Sequence, residues 1–226
     1  ILTALADKDE HVRERGIYLS ETVMARQPLS ATLAGKLAGL ASDSSERVRF
    51  QLALTAETAL ATPSAKPAAA PLAAAYAQIA QRDFANSWIS AALLSGPPEI
   101  VAGVLYPALT RDPAQARTMA AFVAKLIEIR AASKPTEGFA SLIDFVAQPA
   151  TSPLWLRALG DGLRRAGTSI EQADTGKKLA SVFSRAGTTV ADPKAAPAAR
   201  LEAVELLSVS SLAQSREALT STLSPG

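Results

Sequence analysis

Residues 43–54 read Asp43-Ser-Ser-Glu46-Arg-Val48-Arg49-Phe-Gln-Leu52-Ala-Leu. A related stretch stands 36 residues earlier, Asp7-Lys-Asp-Glu10-His-Val12-Arg13-Glu-Arg-Gly16-Ile-Tyr, and Asp, Glu, Val and Arg recur in it at the same offsets. Glutamate and threonine extend the match, at 21 and 22 against 57 and 58. A period in this range is typical of repeat proteins, in which each copy is one unit stacked on the next. The two stretches therefore predict a repeat array.

Each copy also predicts the start of a helix. Asp7-x-x-Glu10 and Asp43-x-x-Glu46 read as capping boxes, in which the aspartate accepts from the first-turn N–H groups and the glutamate reaches back to the cap. After the cap, apolar and small residues recur at helical spacing and predict one buried stripe. The stripes are Val12, Gly16, Leu19 and Val23 in the first copy, and Val48, Leu52, Thr55 and Ala59 in the second. Gly16 weakens a helix, so we expect it to mark a close backbone approach.

Composition favours helices over strands. Apolar residues make up 48% of the chain, many of them alanine, while aromatic residues make up only 5%. Alanine-rich faces suit closely packed helices, and the β-branched and aromatic runs expected of strands are scarce. The chain is therefore predicted to be all-α.

Charge and cysteine content narrow the classes of function. The formal net charge is +2, and the largest basic cluster is the pair Arg164-Arg165, so nucleic-acid binding has no electrostatic footprint. The chain has no cysteine, which leaves neither a disulfide framework nor a cysteine metal site in this segment. No apolar run approaches the roughly 18 residues needed to span a membrane. The chain begins at Ile1 without Met or a signal-like segment, which we interpret as a piece of a longer protein.

Beyond the second copy, the pattern predicts further helices between breaks rich in proline and glycine. The predicted helices are Glu10–Arg26, Leu29–Ala41, Glu46–Leu60, Pro71–Gln81, Asn86–Leu94, Glu99–Thr110, Ala114–Ala132, Thr136–Val146, Leu154–Ala166, Glu171–Ala186, Ala198–Leu207 and Ser211–Leu223. Pro107 either kinks its helix or ends it, and residues 187–197 are predicted to be a loop. Asp83 stands 40 residues after Asp43, which puts Trp88 in the place of Val48 in a degenerate third copy.

The chain is thus predicted to form about a dozen helices in antiparallel pairs, which stack because no pair can bury its apolar face alone. We interpret residues 1–226 as a single helical-repeat domain, with regular repeats over 1–62 and degenerate ones over 63–226. The favoured architecture is an α-α superhelix, and a compact helical bundle is the alternative.

At the step Asp-x-x-Glu-x-Val-Arg, the chain resembles HEAT repeats, which form armadillo-like helical solenoids. In that family an aspartate in the turn within a repeat and an arginine early in its second helix usually form a ladder along the array. The resemblance implies that Asp7, Arg13, Asp43 and Arg49 are structural ladder residues. The later copies depart from the pattern, since the arginine position falls on Ile89 in the third copy.

A narrower resemblance connects four stretches in order along the chain. They are the run from Ser42 to Leu54, Trp88-Ile-Ser-Ala-Ala-Leu-Leu-Ser, Leu159-Gly-Asp-Gly-Leu, and Asp192-Pro-Lys-Ala with Arg200-Leu-Glu-Ala-Val-Glu-Leu-Leu. These resemble the HEAT region of large bacterial proteins that join a dehydrogenase-like β-propeller to a c-type haem domain. In that family the haem is attached through C-x-x-C-H outside the helices, so this cysteine-free segment holds no cofactor itself. The resemblance implies a spacer or docking module in an extracytoplasmic (periplasmic) redox protein.

Individual residues offer few candidates for chemistry. His11, the only histidine, stands among charged residues and is interpreted as a surface side chain without the partners that a general base or metal site needs. Trp88 and Trp155 are predicted to pack in the core, the alternative being a platform for ligand stacking. The acids Asp7, Asp9 and Glu10 resemble a carboxylate cluster, but two of them serve the helix cap, so a metal site is not favoured.

Serine and glycine patterns add no catalytic site. Ser20, Ser90 and Ser141 lie in predicted helices without a histidine in a plausible context, so hydrolase chemistry has no support. Gly160-Asp-Gly162 lies inside a helical pattern and lacks the preceding strand that a phosphate-binding loop requires.

Two classes of function follow. The first is a non-catalytic scaffold that mediates protein–protein or interdomain contacts, with no bound cofactor, no nucleic acid and no membrane insertion by this segment. Its contacts are expected on the concave surface formed by the second helices of successive repeats. The alternative is a HEAT-like nucleic-acid-binding protein or an enzyme of the DNA glycosylase type, which needs a basic concave face, whereas lysine and arginine are scattered here.

Overall fold

The computed structural model describes residues 1–63, 68–133, 139–148, 151–211, 215–216 and 220. These residues form helices, turns and loops without a strand, so the all-α prediction is confirmed. In chain order the α-helices are α1 (Glu10–Met24), α2 (Ala31–Gly39), α3 (Glu46–Ala61), α4 (Ala70–Asp83), α5 (Ser87–Leu94), α6 (Pro98–Ile100), α7 (Tyr106–Leu109), α8 (Pro113–Thr118), α9 (Ala120–Ala132), α10 (Phe139–Val146), α11 (Pro153–Arg165), α12 (Ile170–Ala173), α13 (Ala180–Ala191) and α14 (Pro197–Leu207). The chain divides into two compact units, Ile1–Phe122 and Val123–Gly226.

Helix α3 is the centre of the first unit. It packs against α1, α4 and α5, while α4 also packs against α2. The stripe predicted for this helix is buried along its whole length, from Val48 to Ala59. Ala53 and Ala56 are fully buried as well, because their short side chains let the neighbouring helices come close. The repeat and its apolar stripe therefore position three helices around α3.

The stripe predicted for α1 is wrong in part. Val12 is 39% exposed and Leu19 is 50% exposed, whereas Ile17 is fully buried. The reason is that α1 packs on α3 and on the 3₁₀ turn Ala4–Ala6, which turns a different side of the helix inward. Gly16 lies against that turn as expected, since a Cβ placed there would stand 3.1 Å from the Ala4 Cβ.

The two predicted capping boxes are also corrected. Helix α1 has Asp9 as its N-cap, and α3 has Ser45. Asp7 and Asp43 stand two residues earlier, and the Oδ1 of each accepts from the N–H of that N-cap residue at 2.9 Å. These are Asx-type turns that lead the chain into the helix. Only Oδ1 of each carboxylate takes part in the turn, and the second oxygen, Oδ2, does not bind the N-cap N–H.

Pro107 does not end its helix. A π-helical turn, Val101–Leu105, joins α6 to α7, and the helical path continues through the proline. Proline lacks an N–H and its ring crowds the carbonyl four residues back, so a wider turn before it relieves both effects. The alternative in which the helix ends before Pro107 is therefore wrong.

Three predictions in the later part of the chain are wrong. The helix expected over Ala114–Ala132 is divided at Met119, whose N–H bonds back to the Ala116 oxygen at 3.2 Å. The helix expected over 171–186 is divided by Asp174, whose carboxylate accepts from the N–H groups of residues 178 and 179 and thereby starts α13. The loop expected over 187–197 is shorter and covers residues 192–196, because α13 runs to Ala191 and α14 begins at Pro197.

The second unit is organised around α11 and α14. Helix α14 packs against α13 and α11. Trp155 of α11 packs against Phe145 of α10, with ring centroids 4.9 Å apart and the ring planes tilted by 34°. Gly162 lies directly against α9, where a Cβ would stand 2.4 Å from the Glu128 carbonyl oxygen. Trp155 is 1% exposed, which places it in the core.

Two further findings concern membrane spans and the predicted helices that lie outside the described residues. Among the described residues, no single helix is long and apolar enough to cross a membrane, while α5 together with Pro98–Leu109 passes the length and hydropathy test only as a pair bent by 104°. The beginning of the helix expected over 136–146, and most of the one expected over 211–223, lie outside the described residues.

Candidate functional site

An arginine in α1 binds the aspartate of the following copy. Arg13 donates from Nε and Nη2 to the two carboxylate oxygens of Asp43, at 2.8 and 2.9 Å. Its Nη1 donates to the backbone oxygens of Asp7, at 2.8 Å, and Lys8, at 3.1 Å. The hydrogen bond with Asp43 raises the pKa of Arg13. One guanidinium thus joins the turn of its own copy to the turn of the next.

Arg49 in α3 repeats this arrangement one copy later. Its Nε and Nη2 each donate at 2.7 Å to Asp83, and its Nη1 donates to the backbone oxygens of Asp43 and Ser44. Arg49 is 2% exposed and Asp83 is 8% exposed, so this bidentate pair is buried. The hydrogen bond with Asp83 raises the pKa of Arg49.

The four residues expected to form a ladder therefore have different roles. The structure brings Arg13 to the Asp43 carboxylate, whereas Asp7 meets Arg13 only through its backbone oxygen. Burial acts to raise the pKa of Asp43, but the hydrogen bonds from Arg13 and from the Ser45 N–H outweigh it and hold that pKa below its usual value. The partner of Arg49 is Asp83, which the expected set left out although its distance from Asp43 along the chain was a signal.

The third copy is shifted by one residue, and this changes the position of Trp88. The N-cap of α5 is Asn86, three residues after Asp83, whereas Ser45 is two residues after Asp43. Ile89 therefore takes the buried position of the earlier valine and is 1% exposed. Trp88 is 75% exposed, so its expected core position is wrong.

The same shift moves the arginine position of the third copy. The N–H groups of Arg13, Arg49 and Ser90 each bond to the backbone oxygen of their own N-cap residue. Ser90, and not Ile89, thus stands where the earlier copies have arginine. One additional residue in a turn rotates every following side chain by about 100° around the helix axis.

The N-terminal parts of α1, α3 and α5 line a cavity of about 360 Å³ beside Trp88, which is open to solvent. It is lined by Glu14, Glu46, Arg47, Phe50, Asn86, Trp88 and Ile89. Arg47 Nη1 lies 3.3 Å from Glu14 Oε2. Asn86 accepts from the N–H groups of residues 88 and 89 through Oδ1, and donates through Nδ2 to Glu46 Oε2 at 3.1 Å. The asparagine thus caps α5 and also holds the Glu46 carboxylate at the cavity.

A second cavity, of about 240 Å³, lies in the second unit beside Asp174 and Lys178. Its polar groups hold the chain together. The Asp174 carboxylate accepts from two N–H groups at the start of α13, and Lys178 Nζ pairs with Asp144. This arrangement fits a structural role.

Glu57 in α3 carries a buried carboxylate oxygen, Oε2, for which the described residues supply no hydrogen-bond partner. Gly96 packs against this carboxylate, since a Cβ there would stand 2.5 Å from the Glu57 Cδ. Burial raises the pKa of Glu57. Burial and the charge of Glu57 also raise the pKa of Tyr76, whose hydroxyl donates to the Leu93 oxygen at 2.6 Å.

The remaining candidates have local roles. The His11 side chain is 64% exposed, and its Nδ1 lies 4.0 Å from Glu14 Oε2. Asp9 caps α1, and within the described ranges no group of three or more His, Asp or Glu residues could hold a metal ion. Ser20 is buried and donates to the Ile17 oxygen at 2.6 Å. Gly162 serves the contact between α9 and α11.

Comparison of the chain with protein-family models, with curated proteins and with solved structures found no match. Function is therefore inferred from the chain's own residues. Among these, the exposed Trp88 and its cavity form the candidate site.

Proposed function

We propose that this chain is a non-catalytic helical-repeat scaffold that mediates protein–protein or interdomain contacts, its pairs stacking as a HEAT-like α-α superhelix. The observation that carries the proposal is Trp88, which is 75% exposed at the mouth of a cavity formed by three helices. Tryptophan is highly buried on average, and it is enriched among the residues that dominate the energy of protein–protein interfaces.

Other apolar side chains extend this surface. Tyr18 of α1 is 49% exposed, and Phe50 of α3 is half-buried in the wall of the cavity. Glu14 and Tyr18, four residues apart, lie on one side of α1. We call the exposed side of α1, α3 and α5 that carries Tyr18, Phe50 and Trp88 the docking face.

The contacts beneath the docking face support its use for binding. Arg13 and Arg49 each bind the turn of the next copy through bidentate hydrogen bonds. These contacts hold α1 and α3 at a fixed distance from the turns beside them. A surface that is already ordered loses less conformational freedom when a partner binds, which favours affinity.

Site-specific photo-crosslinking in the native host tests this proposal. A photoreactive amino acid replaces Trp88 on the docking face or, as the control, the exposed Lys36 of α2. We expect a product from position 88 that is absent from position 36. The crosslinked protein is then purified, and its dissociation constant is measured with the unmodified chain and with Trp88→Ala. Equal crosslinking from both positions, or an affinity unchanged by Trp88→Ala, would refute a docking face at Trp88.

We further propose that the chain belongs to a large extracytoplasmic protein with dehydrogenase-like and c-type haem domains. The support is the ordered set of sequence stretches that resemble such proteins. The test is to read the coding sequence on both sides of these 226 residues and to record a visible spectrum of the full-length protein. A downstream C-x-x-C-H with a c-type Soret band is expected. Stop codons close to both ends, without haem, would instead indicate a free-standing adaptor.

A further inference from the structure

The cavity beside Trp88 combines an aromatic wall with a carboxylate that forms no ion pair. The walls include the exposed Trp88, the half-buried Phe50 and the buried Ile89. The Glu46 carboxylate is held at the cavity by Asn86, whose Nδ2 lies 3.1 Å from Oε2. Within the described part of the chain, Glu46 forms no ion pair with any lysine, arginine or histidine.

The charges of the cavity favour a cation over an anion. Two carboxylates, Glu14 and Glu46, face it together with one guanidinium, that of Arg47. Arg47 pairs with Glu14 at 3.3 Å and Arg49 pairs with Asp83, so neither arginine forms an ion pair with Glu46, and the side chains that line the cavity carry one more negative than positive charge. An anionic ligand would lie beside this carboxylate and be repelled. A purely apolar ligand would strip water from Glu46 without replacing its hydrogen bonds, which is costly for a charged group.

We infer that the cavity binds a lysine or arginine side chain of a partner polypeptide, with the cation over the Trp88 indole and its hydrogen bonds directed to Glu46. Tryptophan is the best aromatic partner for a cation, and a carboxylate beside it supplies the charge-assisted hydrogen bonds. A residue next to the cation would place an apolar side chain on Phe50. This inference rests on the proposed function, since it names the chemistry of the partner at the docking face.

The test uses a library of random twelve-residue peptides displayed on phage and selected on the full chain. Enriched peptides are synthesised, and their dissociation constants are measured by fluorescence anisotropy. The variants are Trp88→Ala and Glu46→Gln. Their matched controls are Leu201→Ala, which removes an exposed apolar side chain of α14 outside the docking face, and Glu10→Gln, the equivalent first-turn position of α1. All four residues are exposed, so each variant is expected to fold.

We expect enriched peptides to carry lysine or arginine beside an apolar residue. Their affinity should fall about tenfold or more in Trp88→Ala and about fivefold in Glu46→Gln, and change less than about twofold in the controls. Peptides that depend on Trp88 but are not enriched in basic residues would overturn the inference and leave the proposed function standing. Failure to obtain any Trp88-dependent peptide would overturn both. If arginine amide alone bound as tightly as the enriched peptides, the cavity would be a site for small cations, and the inference of a polypeptide partner would be overturned.

Discussion

Arg49 of α3 and Asp83 at the end of α4 form a buried bidentate ion pair, with both hydrogen bonds at 2.7 Å. The third nitrogen of the guanidinium is also occupied, because Nη1 donates to the Asp43 backbone oxygen at 2.7 Å. The pair therefore ties the start of α3, the turn before it and the end of α4 to one side chain. Such a pair resists disruption because removal of one partner leaves an uncompensated charge in the interior.

Asp83→Asn should lower the free energy of unfolding by about 3–5 kcal/mol, the usual cost of breaking a buried pair from one side. The measurement is urea denaturation followed by circular dichroism. Arg47→Met is the matched control, because Arg47 is 53% exposed where it pairs with Glu14 and exposed pairs contribute about 0–1 kcal/mol. A loss of similar size in both variants would contradict the special weight given to the buried pair.

Gly162→Ala should destabilise the second unit by about 1–3 kcal/mol, because the added methyl group overlaps the Glu128 carbonyl oxygen and the Ala131 side chain. Gly35→Ala in α2 is the control, since a Cβ there meets nothing within 4 Å. Alanine is the better helix former by roughly 0.5–1 kcal/mol, so the control should gain stability. Thermal unfolding of both variants checks the opposite signs.

Glu57 should make the stability of the chain fall as pH rises. Burial raises its pKa above the ordinary value of 4.5, so the folded state holds the proton over a range in which the unfolded state has lost it. Stability is then highest below that value and declines as pH rises through the raised pKa of the folded state. Glu57→Gln should remove this decline, which a series of melting temperatures from acid to neutral pH would show.

Asp43 changes stability with pH in the opposite direction to Glu57, and it does so in a lower range of pH. Its pKa is held below the usual value, so its pairing with Arg13 stabilises the fold above that value and is lost as pH falls through the lowered one. Asp43→Asn should therefore reduce the difference in stability between neutral and strongly acid solution. An unchanged acid limb in this variant would argue against a role for the Arg13 pair in acid stability.

The two tryptophans should differ in fluorescence. Trp88 is 75% exposed and Trp155 is 1% exposed. Trp88→Phe should leave emission at shorter wavelength that iodide quenches weakly, whereas the unchanged chain contains both populations. The quenching constant of the variant, compared with that of the urea-unfolded chain, measures the remaining burial. Strong quenching that survives Trp88→Phe would place Trp155 at the surface.

The best sequence predictions are those in which independent signals agree. Helix α3 was expected over Glu46–Leu60 and is found over Glu46–Ala61, because the repeat, the first-turn glutamate and one apolar stripe indicate the same segment. α13 was missed beyond residue 186 because Gly187 and the threonines after it are weak helix formers. In the structure the helix nevertheless continues to Ala191, and the hydroxyls of Thr188 and Thr189 donate to backbone oxygens one turn back.

The candidate site was predicted less well than the helices, because the third copy was aligned with the second in the wrong register. The repeat identified the third copy, but alignment on Asp83 ignored the extra residue before Asn86 and placed Trp88 in the core. Asparagine is a preferred N-cap residue, and alignment on Asn86 would have predicted the exposed tryptophan. The contact of Gly162 with α9 had no signal in the sequence, because it depends on which helices meet.

The pairing of each arginine with the aspartate of the next copy has a direction. Every complete copy contains one arginine that donates and one aspartate that accepts. The first copy, residues 7–42, begins with Asp7 and contains Arg13, whose partner Asp43 is the first residue of the next copy. Tandem duplication of that segment would insert an arginine that meets the following aspartate and an aspartate that meets the preceding arginine. Duplication of this segment would therefore add a matched arginine–aspartate pair without a new compensating mutation. The third copy has Ser90 in place of the arginine, so it lacks the donor that would bind the aspartate of a copy placed after it.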